Sequence, residues 1–162
     1  MILKYWYPFL LVISVFVISI ALIAEYIFNL QPCELCLKQR HPYYLFVIIS
    51  ITILYLPLFN NIVFYSIIQL GAIYGIFYSF WHIGVENKFF KGPGGCSSDL
   101  SISENINDLK EQILSKKVVS CDEVIWSIFG ISAASFNLLV LIFIFIINGL
   151  YIYYNGKKEK KI

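Results

Sequence analysis

The sequence predicts an all-α integral membrane protein in which four transmembrane helices form a bundle and one long loop lies outside the membrane. Of its 162 residues, 59% are hydrophobic and only 14% are charged, and the mean hydropathy is +0.77. A soluble domain of this size could not bury that much apolar surface. The charges are also segregated, so that they leave uncharged stretches long enough to cross a hydrocarbon layer of about 30 Å.

The uncharged stretches divide into four predicted spans. Serines are the only polar residues between Phe9 and Ala24, and the first span extends from there towards residue 30. The region from Pro42 to Val85 has no charge apart from His82, and it is long enough for two helices. Pro57 and Asn60 predict the turn between them, because proline breaks helices and asparagine favours turns. The four spans are predicted at about 8–30, 42–59, 62–83 and 132–154.

The distribution of lysine predicts the orientation in the bilayer. Lys4 precedes the first span and four lysines lie in 157–161, whereas residues 84–133 contain five lysines against seven acids. Positively charged segments stay in the cytoplasm, so both termini are expected there. With four spans, the loops at about 31–41 and 84–131 then lie on the opposite face, which in a bacterium is the oxidising periplasm. All four cysteines fall in these two loops.

The chain is predicted to form one domain, 1–162, with a structured segment in its long periplasmic loop. Apolar residues recur at helical spacing between Ser98 and Lys117, which predicts a short amphipathic helix lying on the membrane or on the bundle. A cleaved signal peptide is the competing interpretation of the N-terminus. It is less favoured, because the apolar run is long for such a peptide and no suitable cleavage site follows it.

The four cysteines are unevenly placed. Cys33 and Cys36 have the spacing of a catalytic dithiol, and they sit where one apolar segment ends and the next is about to begin. Cys96 and Cys121 lie 25 positions apart in the long loop. Four cysteines permit three pairings, among which the sequence does not choose. Two structural disulfides remain an alternative, whereas a four-cysteine zinc site fits less well because the second pair lacks close spacing. We expect no bound metal.

The residues around the first pair favour redox chemistry. The second helix is expected to begin near Leu37, which places Cys36 close to the positive end of the helix dipole. Arg40 follows one turn later, and both effects favour a thiolate at Cys36. Glu34 opposes it by like-charge repulsion, so the sequence leaves the net direction open. Arg40 could alternatively serve as an interfacial anchor that binds lipid phosphate.

A ten-residue segment resembles a family signature. It reads Gln31-Pro32-Cys33-Glu34-Leu35-Cys36-Leu37-Lys38-Gln39-Arg40 and is similar to the Pro-Cys-x-Leu-Cys-x-x-x-Arg segment of the disulfide bond formation protein B (DsbB) family. Further similarities follow in order at His82-Ile83-Gly84-Val85-Glu86, at Gly92-Pro93, and at Cys121-Asp122-Glu123-Val124-Ile125-Trp126. The resemblance covers about residues 8 to 155. It implies a bacterial inner-membrane enzyme that reoxidises a periplasmic DsbA-like thiol oxidase and passes the electrons to ubiquinone or menaquinone.

The resemblance also implies roles for individual cysteines. Cys33 and Cys36 match the pair that exchanges electrons with the quinone, and Cys36 matches the sulfur beside the quinone ring. Cys96 matches the cysteine that forms the mixed disulfide with the DsbA-like partner, and Cys121 matches its disulfide partner. Two pairs in series allow a soluble thiol protein and a lipid-soluble oxidant to react without meeting.

Three further residues are implied in quinone binding. Arg40 matches the arginine that supports the quinone, and Trp126 matches a tryptophan near the pocket. His82 is a weaker match, because a lone histidine at a helix end is as often a structural interfacial residue. The alternatives to this function are a non-enzymatic membrane protein with two structural disulfides and a quinone reductase of the vitamin K epoxide reductase type. In the latter, the Cys-x-x-Cys motif would be expected later in the chain. No nucleic-acid partner is expected.

Overall fold

A computed structural model describes residues 5–55, 61–93, 121, 124, 127–128 and 130–159. In these residues the chain forms four helices and one short antiparallel β-ribbon. The helices are α1 (Trp6–Tyr26), α2 (Glu34–Tyr55), α3 (Asn61–Glu86) and α4 (Ala133–Glu159). The strands are β1 (Ser127–Ile128) and β2 (Ile131–Ser132), which pair antiparallel just before α4. Gly130, with a φ of +79°, provides the reversal between them.

Three of the helices are long and apolar enough to cross a membrane. By length and composition the candidate spans are Trp6–Tyr26, Ile62–Glu86 and Ala133–Tyr154. The first two turns of α2 contain Glu34, Lys38 and Arg40, so that the uncharged part of this helix in the described residues begins only at Pro42. The all-helical membrane fold is therefore confirmed in its coarse form, and the crossing by α2 stays a prediction.

The first predicted span ends later than the helix that forms it. The prediction extended to about residue 30, whereas α1 ends at Tyr26. Asn29 adopts a left-handed backbone conformation with a φ of 52°, which asparagine tolerates better than most residues. The N–H of Leu30 then donates to the carbonyl of Ala24 over 3.0 Å, so the chain closes over the helix end. An apolar composition alone does not reveal this turn.

The second helix begins earlier than the sequence analysis expected. It starts at Glu34, ahead of both the predicted span at 42 and the helix start near Leu37. Cys33 acts as the capping residue, because its Sγ lies 3.4 Å from the N–H of Cys36 and its carbonyl accepts from Leu37 at 3.1 Å. Charged residues are compatible with a helix although not with a membrane core, which explains why the helix is longer than the apolar segment. The same reason applies to α3 and α4, which extend beyond the predicted ends at 83 and 154.

The main core runs along the bundle, where α1 packs on α2, α2 on α3, and α3 on α4. Gly75 permits the close approach of three helices, since a Cβ there would lie 2.7 Å from Leu141 and 3.0 Å from Pro42. Large apolar side chains such as Phe77 and Phe80 remain exposed on the outside, as expected for surfaces that face lipid. A second, smaller core encloses Cys33, Leu35, Val85 and Cys121 at one end of the bundle.

Several predictions lie outside the described residues. These are the positions of Cys96 and Trp126 and the amphipathic helix between Ser98 and Lys117.

Candidate active site

Cys33 and Cys36 lie together at the start of α2. Cys33 directly precedes the helix and Cys36 is in its first turn, so the helical geometry brings the two side chains to the same side. Their sulfur atoms are 3.2 Å apart, which is contact without the bond of about 2.05 Å that a disulfide requires. The Cys33 thiol donates to Cys36 in this arrangement. The pair therefore has the geometry of a reduced dithiol.

Cys121 joins this pair from the chain segment that precedes α4. It is buried in the same small core and forms a thiol hydrogen bond with Cys33. Cys33 is therefore in contact with the two other cysteines that the structure describes, Cys36 and Cys121. Thiol exchange requires the attacking and attacked sulfurs to be neighbours, so this arrangement allows exchange from Cys121 to Cys33 and from Cys33 to Cys36.

The two thiols of the first pair differ in acidity. The hydrogen bond from Cys121 lowers the pKa of Cys33, but the contact with Cys36 and burial outweigh it and raise this pKa to about 12. The hydrogen bond from Cys33 lowers the pKa of Cys36, and the charge of Arg40 contributes in the same direction against the effect of burial. Glu34 instead pairs with Lys38 at 2.7 Å. The sequence left open whether the pKa of Cys36 is raised or lowered. The structure shows that it is lowered, which favours a thiolate at Cys36.

Arg40 is held by a residue that the sequence analysis did not select. Its guanidinium forms an ion pair with the Glu25 carboxylate of α1, and it also donates to the Ala21 carbonyl at 3.4 Å. The two charged side chains are only 14% and 21% exposed. A signal was present, because Glu25 is the only charged residue between Lys4 and Glu34. A carboxylate in such an apolar segment is costly unless it has a partner.

A cavity of about 570 Å³ opens between α1, α2 and α4. This volume is within the usual range for small-molecule sites. Most of its wall is apolar, with residues such as Phe16, Leu139 and Phe143. Five polar or reactive residues also line it. They are Cys36, Gln39, Arg40, Tyr43 and Asn137.

His82 lies beside the thiols. Its side chain is buried, with only 3% of the residue exposed, and Nε2 is 3.6 Å from the Cys33 sulfur. Its other ring nitrogen, Nδ1, is 2.9 Å from Nε2 of Gln39. Glu86 approaches Nε2 of the ring at 3.8 Å. Among the described residues His82 does not line the large cavity, so the structure places it next to Cys33, away from the cavity wall.

A buried polar network extends from His82 into the bundle. Gln39 contacts Asn137, which in turn contacts Ser79 at 2.8 Å and Tyr43 at 2.6 Å. None of these network residues except His82 was predicted from the sequence to be functional. Asn137 had a detectable signal, because an amide in an otherwise apolar helix requires hydrogen-bond partners. Gln39 lies within the recognised segment between Cys36 and Arg40, but its partners could not be identified without the helix packing.

Three potential metal ligands also meet here. The ligand atoms of Cys33, Cys36 and His82 all lie within 4.8 Å of one another. Thiolate and imidazole are the ligands that soft or borderline ions such as zinc prefer. Distance alone therefore permits a metal ion among these residues, although no metal was expected from the sequence.

Comparison with known proteins identifies the family. The family model described as disulfide bond formation protein DsbB matches residues 4–151. The chain belongs to the DsbB family. This confirms the resemblance recognised in the cysteine and arginine segment, and membership implies the role of a membrane disulfide oxidoreductase. The cluster of three cysteine sulfurs, at the end of a bundle with membrane-spanning helices, is consistent with that DsbB role.

A relative extends the similarity without specifying an activity. It comes from Rickettsia prowazekii (strain Madrid E), is described as uncharacterized protein RP370, and is 33% identical over 147 residues. The alignment covers 90% of this chain and 85% of the relative. No solved structure matches the chain. The details of the DsbB chemistry in this chain are therefore argued below from its own residues.

Proposed function

We propose that this protein is a protein-dithiol:quinone oxidoreductase of the bacterial inner membrane. It reoxidises a periplasmic DsbA-like thiol oxidase and passes the electrons to ubiquinone or menaquinone, which supports disulfide formation in exported proteins. The observation that carries the proposal is the position of Cys36. This cysteine touches Cys33, which contacts Cys121, and it also lines the large apolar cavity. Electrons can thus pass from one cysteine to the next and reach a lipid-soluble acceptor.

The first half of the reaction is thiol exchange. The thiolate of the partner attacks Cys96 of a Cys96–Cys121 disulfide, and Cys121 leaves as a thiolate. Cys121 then attacks Cys33 of the Cys33–Cys36 disulfide, so a Cys33–Cys121 bond forms and Cys36 leaves with the electron pair. The lowered pKa of Cys36 supports this direction, because a more acidic thiol is the better leaving group.

The cavity fits a quinone by size and by chemistry. A quinone has a flat apolar ring with two carbonyl oxygens, and the wall combines an apolar surface with the guanidinium of Arg40 as a hydrogen-bond donor. When bound, a quinone supplies the capacity to accept two electrons and two protons. Arg40 holds a positive charge next to the Cys36 thiolate, and its ion pair with Glu25 fixes the guanidinium at the cavity. Cys36 lines the same cavity.

The proposed placement in the membrane follows the lysine distribution. Residues 1–162 form one DsbB-like domain with four spans, of which α2 provides the second. Both termini are cytoplasmic, and all four cysteines are on the periplasmic side. The three sulfurs at one end of the bundle support this placement, because a soluble partner must reach the cysteines while the quinone remains in the bilayer.

The proposal can be tested with the purified full-length protein in detergent. A reduced DsbA-like oxidase and a soluble quinone analogue are added, and reduction of the quinone is followed by its absorbance. The wild type should transfer one electron pair from each partner dithiol to one quinone, and Cys36→Ser should abolish the transfer. A protein that leaves the partner reduced at every quinone concentration would contradict the proposal and favour the alternative of two structural disulfides.

A further inference from the structure

We propose that Gln39 fixes the tautomer of His82, so that His82 donates a hydrogen bond from Nε2 to Cys33 and stabilises the Cys33 thiolate during exchange. Gln39 is then a positioning residue that acts through His82. The catalytic meaning of this contact rests on the proposed function. The tautomer itself rests only on the geometry of the buried network.

The amide of Gln39 has a defined orientation. Its Nε2 lies 3.4 Å from the carbonyl oxygen of Tyr78, and a carbonyl oxygen can only accept. The atom that faces Tyr78 must therefore be the NH₂ group. Its Oε1 lies 3.3 Å from Nδ2 of Asn137, which fits an acceptor. If the amide were flipped, two oxygens would face each other at Tyr78 and two NH₂ groups would face each other at Asn137.

The orientation of Asn137 is fixed independently. Ser79 donates its hydroxyl proton to the carbonyl of Gly75 at 2.8 Å, so the Ser79 oxygen accepts a hydrogen bond from Asn137. The Nδ2 of Asn137 lies 2.8 Å from this oxygen, and its Oδ1 accepts from the Tyr43 hydroxyl at 2.6 Å. Two backbone carbonyls, those of Gly75 and Tyr78, therefore determine the direction of every hydrogen bond in the network.

The network determines which nitrogen of His82 carries the proton. The NH₂ group of Gln39 points at Nδ1 over 2.9 Å, so Nδ1 must offer its lone pair. A neutral imidazole has one N–H, which is then on Nε2. This N–H faces the Cys33 sulfur at 3.6 Å, and the Glu86 carboxylate lies nearby at 3.8 Å. If Nδ1 were protonated in addition to Nε2, its N–H would face the NH₂ group of Gln39. This contact disfavours His82 as a base.

This donor has a use at one step of the exchange. The second thiolate of the partner dithiol first attacks the partner sulfur of the mixed disulfide, which leaves the partner oxidised and releases Cys96 as a thiolate. Cys96 then attacks Cys121 of the Cys33–Cys121 disulfide, so the Cys96–Cys121 bond forms again and Cys33 leaves with the electron pair as a thiolate. Cys33 is a poor leaving group, because the contact with Cys36 and burial raise its pKa. A hydrogen bond from Nε2 stabilises the developing charge, and the proton stays on the nitrogen. The same proton prevents Nε2 from binding a metal, although the three ligand atoms are within reach of one.

Nitrogen NMR on the reduced full-length protein tests the tautomer directly. The chain has two histidines, and a His41→Gln background leaves His82 as the only source of signal. After ¹⁵N labelling of histidine, the account predicts a protonated Nε2 and an unprotonated Nδ1. A protonated Nδ1 with an unprotonated Nε2 would overturn the proposal, and so would coordination of Nε2 when zinc alone is added.

A matched pair of variants tests the part played by Gln39. Gln39→Met keeps the size of the side chain and removes the donor, so His82 should lose its single tautomer and partner oxidation should slow by about 5- to 10-fold. Gln69→Met is the control. Gln69 makes comparable bonds to Phe145 and Asn148, away from the cysteines, and its loss should change neither readout. An unchanged tautomer in Gln39→Met would refute the positioning role.

Two further results keep the tests distinct. If Gln39→Met does not fold, the spectrum of the His41→Gln protein still decides the tautomer. If the wild type shows the predicted tautomer but no quinone-dependent oxidation, the proposed function fails and the assignment at His82 stands.

Discussion

Arg40 of α2 forms an ion pair with Glu25 of α1 beside the cavity that Cys36 lines. The pair joins the two helices at the point where the thiols meet the cavity. It also gives the arginine an intramolecular partner, in place of the lipid phosphate that was considered from the sequence. A carboxylate in an apolar span needs such a partner, and the guanidinium is in turn held in one position.

Glu25→Gln should therefore disturb the position of Arg40. Because both side chains are largely buried, we expect the KM for quinone to rise, together with a loss of about 1 to 3 kcal/mol in stability from the arginine left without its partner. Glu34→Gln is the matched control. Its ion pair with Lys38 is more exposed, at 45% and 30%, so its loss should leave the KM unchanged. Equal effects of the two variants would mean that Glu25 does not position Arg40.

The contact between Cys33 and Cys121 predicts a specific cross-link. With Cys36→Ser and Cys96→Ser combined, only Cys33 and Cys121 remain, and mild oxidation should join them within the monomer. With Cys33→Ser and Cys96→Ser combined, Cys36 and Cys121 remain, and the bond should form more slowly because the contact that Cys121 makes is with Cys33. Peptide mapping without reductant gives both rates. Faster bonding of Cys36 would reverse the proposed order of exchange.

The lowered pKa of Cys36 predicts how its alkylation depends on pH. In the reduced protein the rate should reach half its maximum below the usual pH for a thiol, because the thiolate is the reactive form. Cys33→Ala should move this midpoint to higher pH, since the Cys33 hydrogen bond is the largest cause of the shift. Arg40→Ala should move it in the same direction but less. Mass spectrometry of the modified Cys36 peptide measures these rates. A larger shift in Arg40→Ala would make the arginine the main cause.

The same shifts have consequences for the stability of the reduced protein. The pKa of Cys36 is depressed by folding, so its contribution is present above the pKa of an unfolded thiol and is lost as the pH falls through the folded value. The pKa of Cys33 is raised to about 12, so the folded state favours its neutral thiol. The contribution of Cys33 to stability is therefore present below the pKa of an unfolded thiol and is lost as the pH rises towards the folded value. Denaturant unfolding at several pH values should follow these two signs.

The topology gives a further prediction. Reporter fusions at Asn60 and after Lys161 should be cytoplasmic, and fusions near Lys88 or Lys110 should be periplasmic, because lysine-rich segments stay in the cytoplasm. The fusion at Asn60 is the most informative, because Asn60 follows α2, the helix whose membrane crossing is so far only predicted. A periplasmic signal there would contradict four spans.

The sequence predicted the family and the coarse fold well, because both depend on local patterns. The apolar stretches identified the helices, and the spacing of Cys33, Cys36 and Arg40 identified the signature. It did not predict that α2 begins at Glu34, since a capping interaction by Cys33 has no recognisable pattern. Nor could it predict the partners of His82 or Arg40. Those contacts join α2 to α3 and to α1, and they depend on helix packing that no single segment encodes.

The central claim is that the cavity beside Cys36 and Arg40 is the quinone site. The most direct measurement is quinone-dependent turnover of the purified, detergent-solubilised protein across a titration of quinone. Arg40→Ala removes a charge from a partly buried site, so we predict a loss of about 2 to 4 kcal/mol in transition-state stabilisation, or tens to several hundredfold in kcat/KM. Arg40→Lys should recover only part of this, because an ammonium lacks the planar fork. An Arg40→Ala protein with unchanged kcat and KM would contradict the claim.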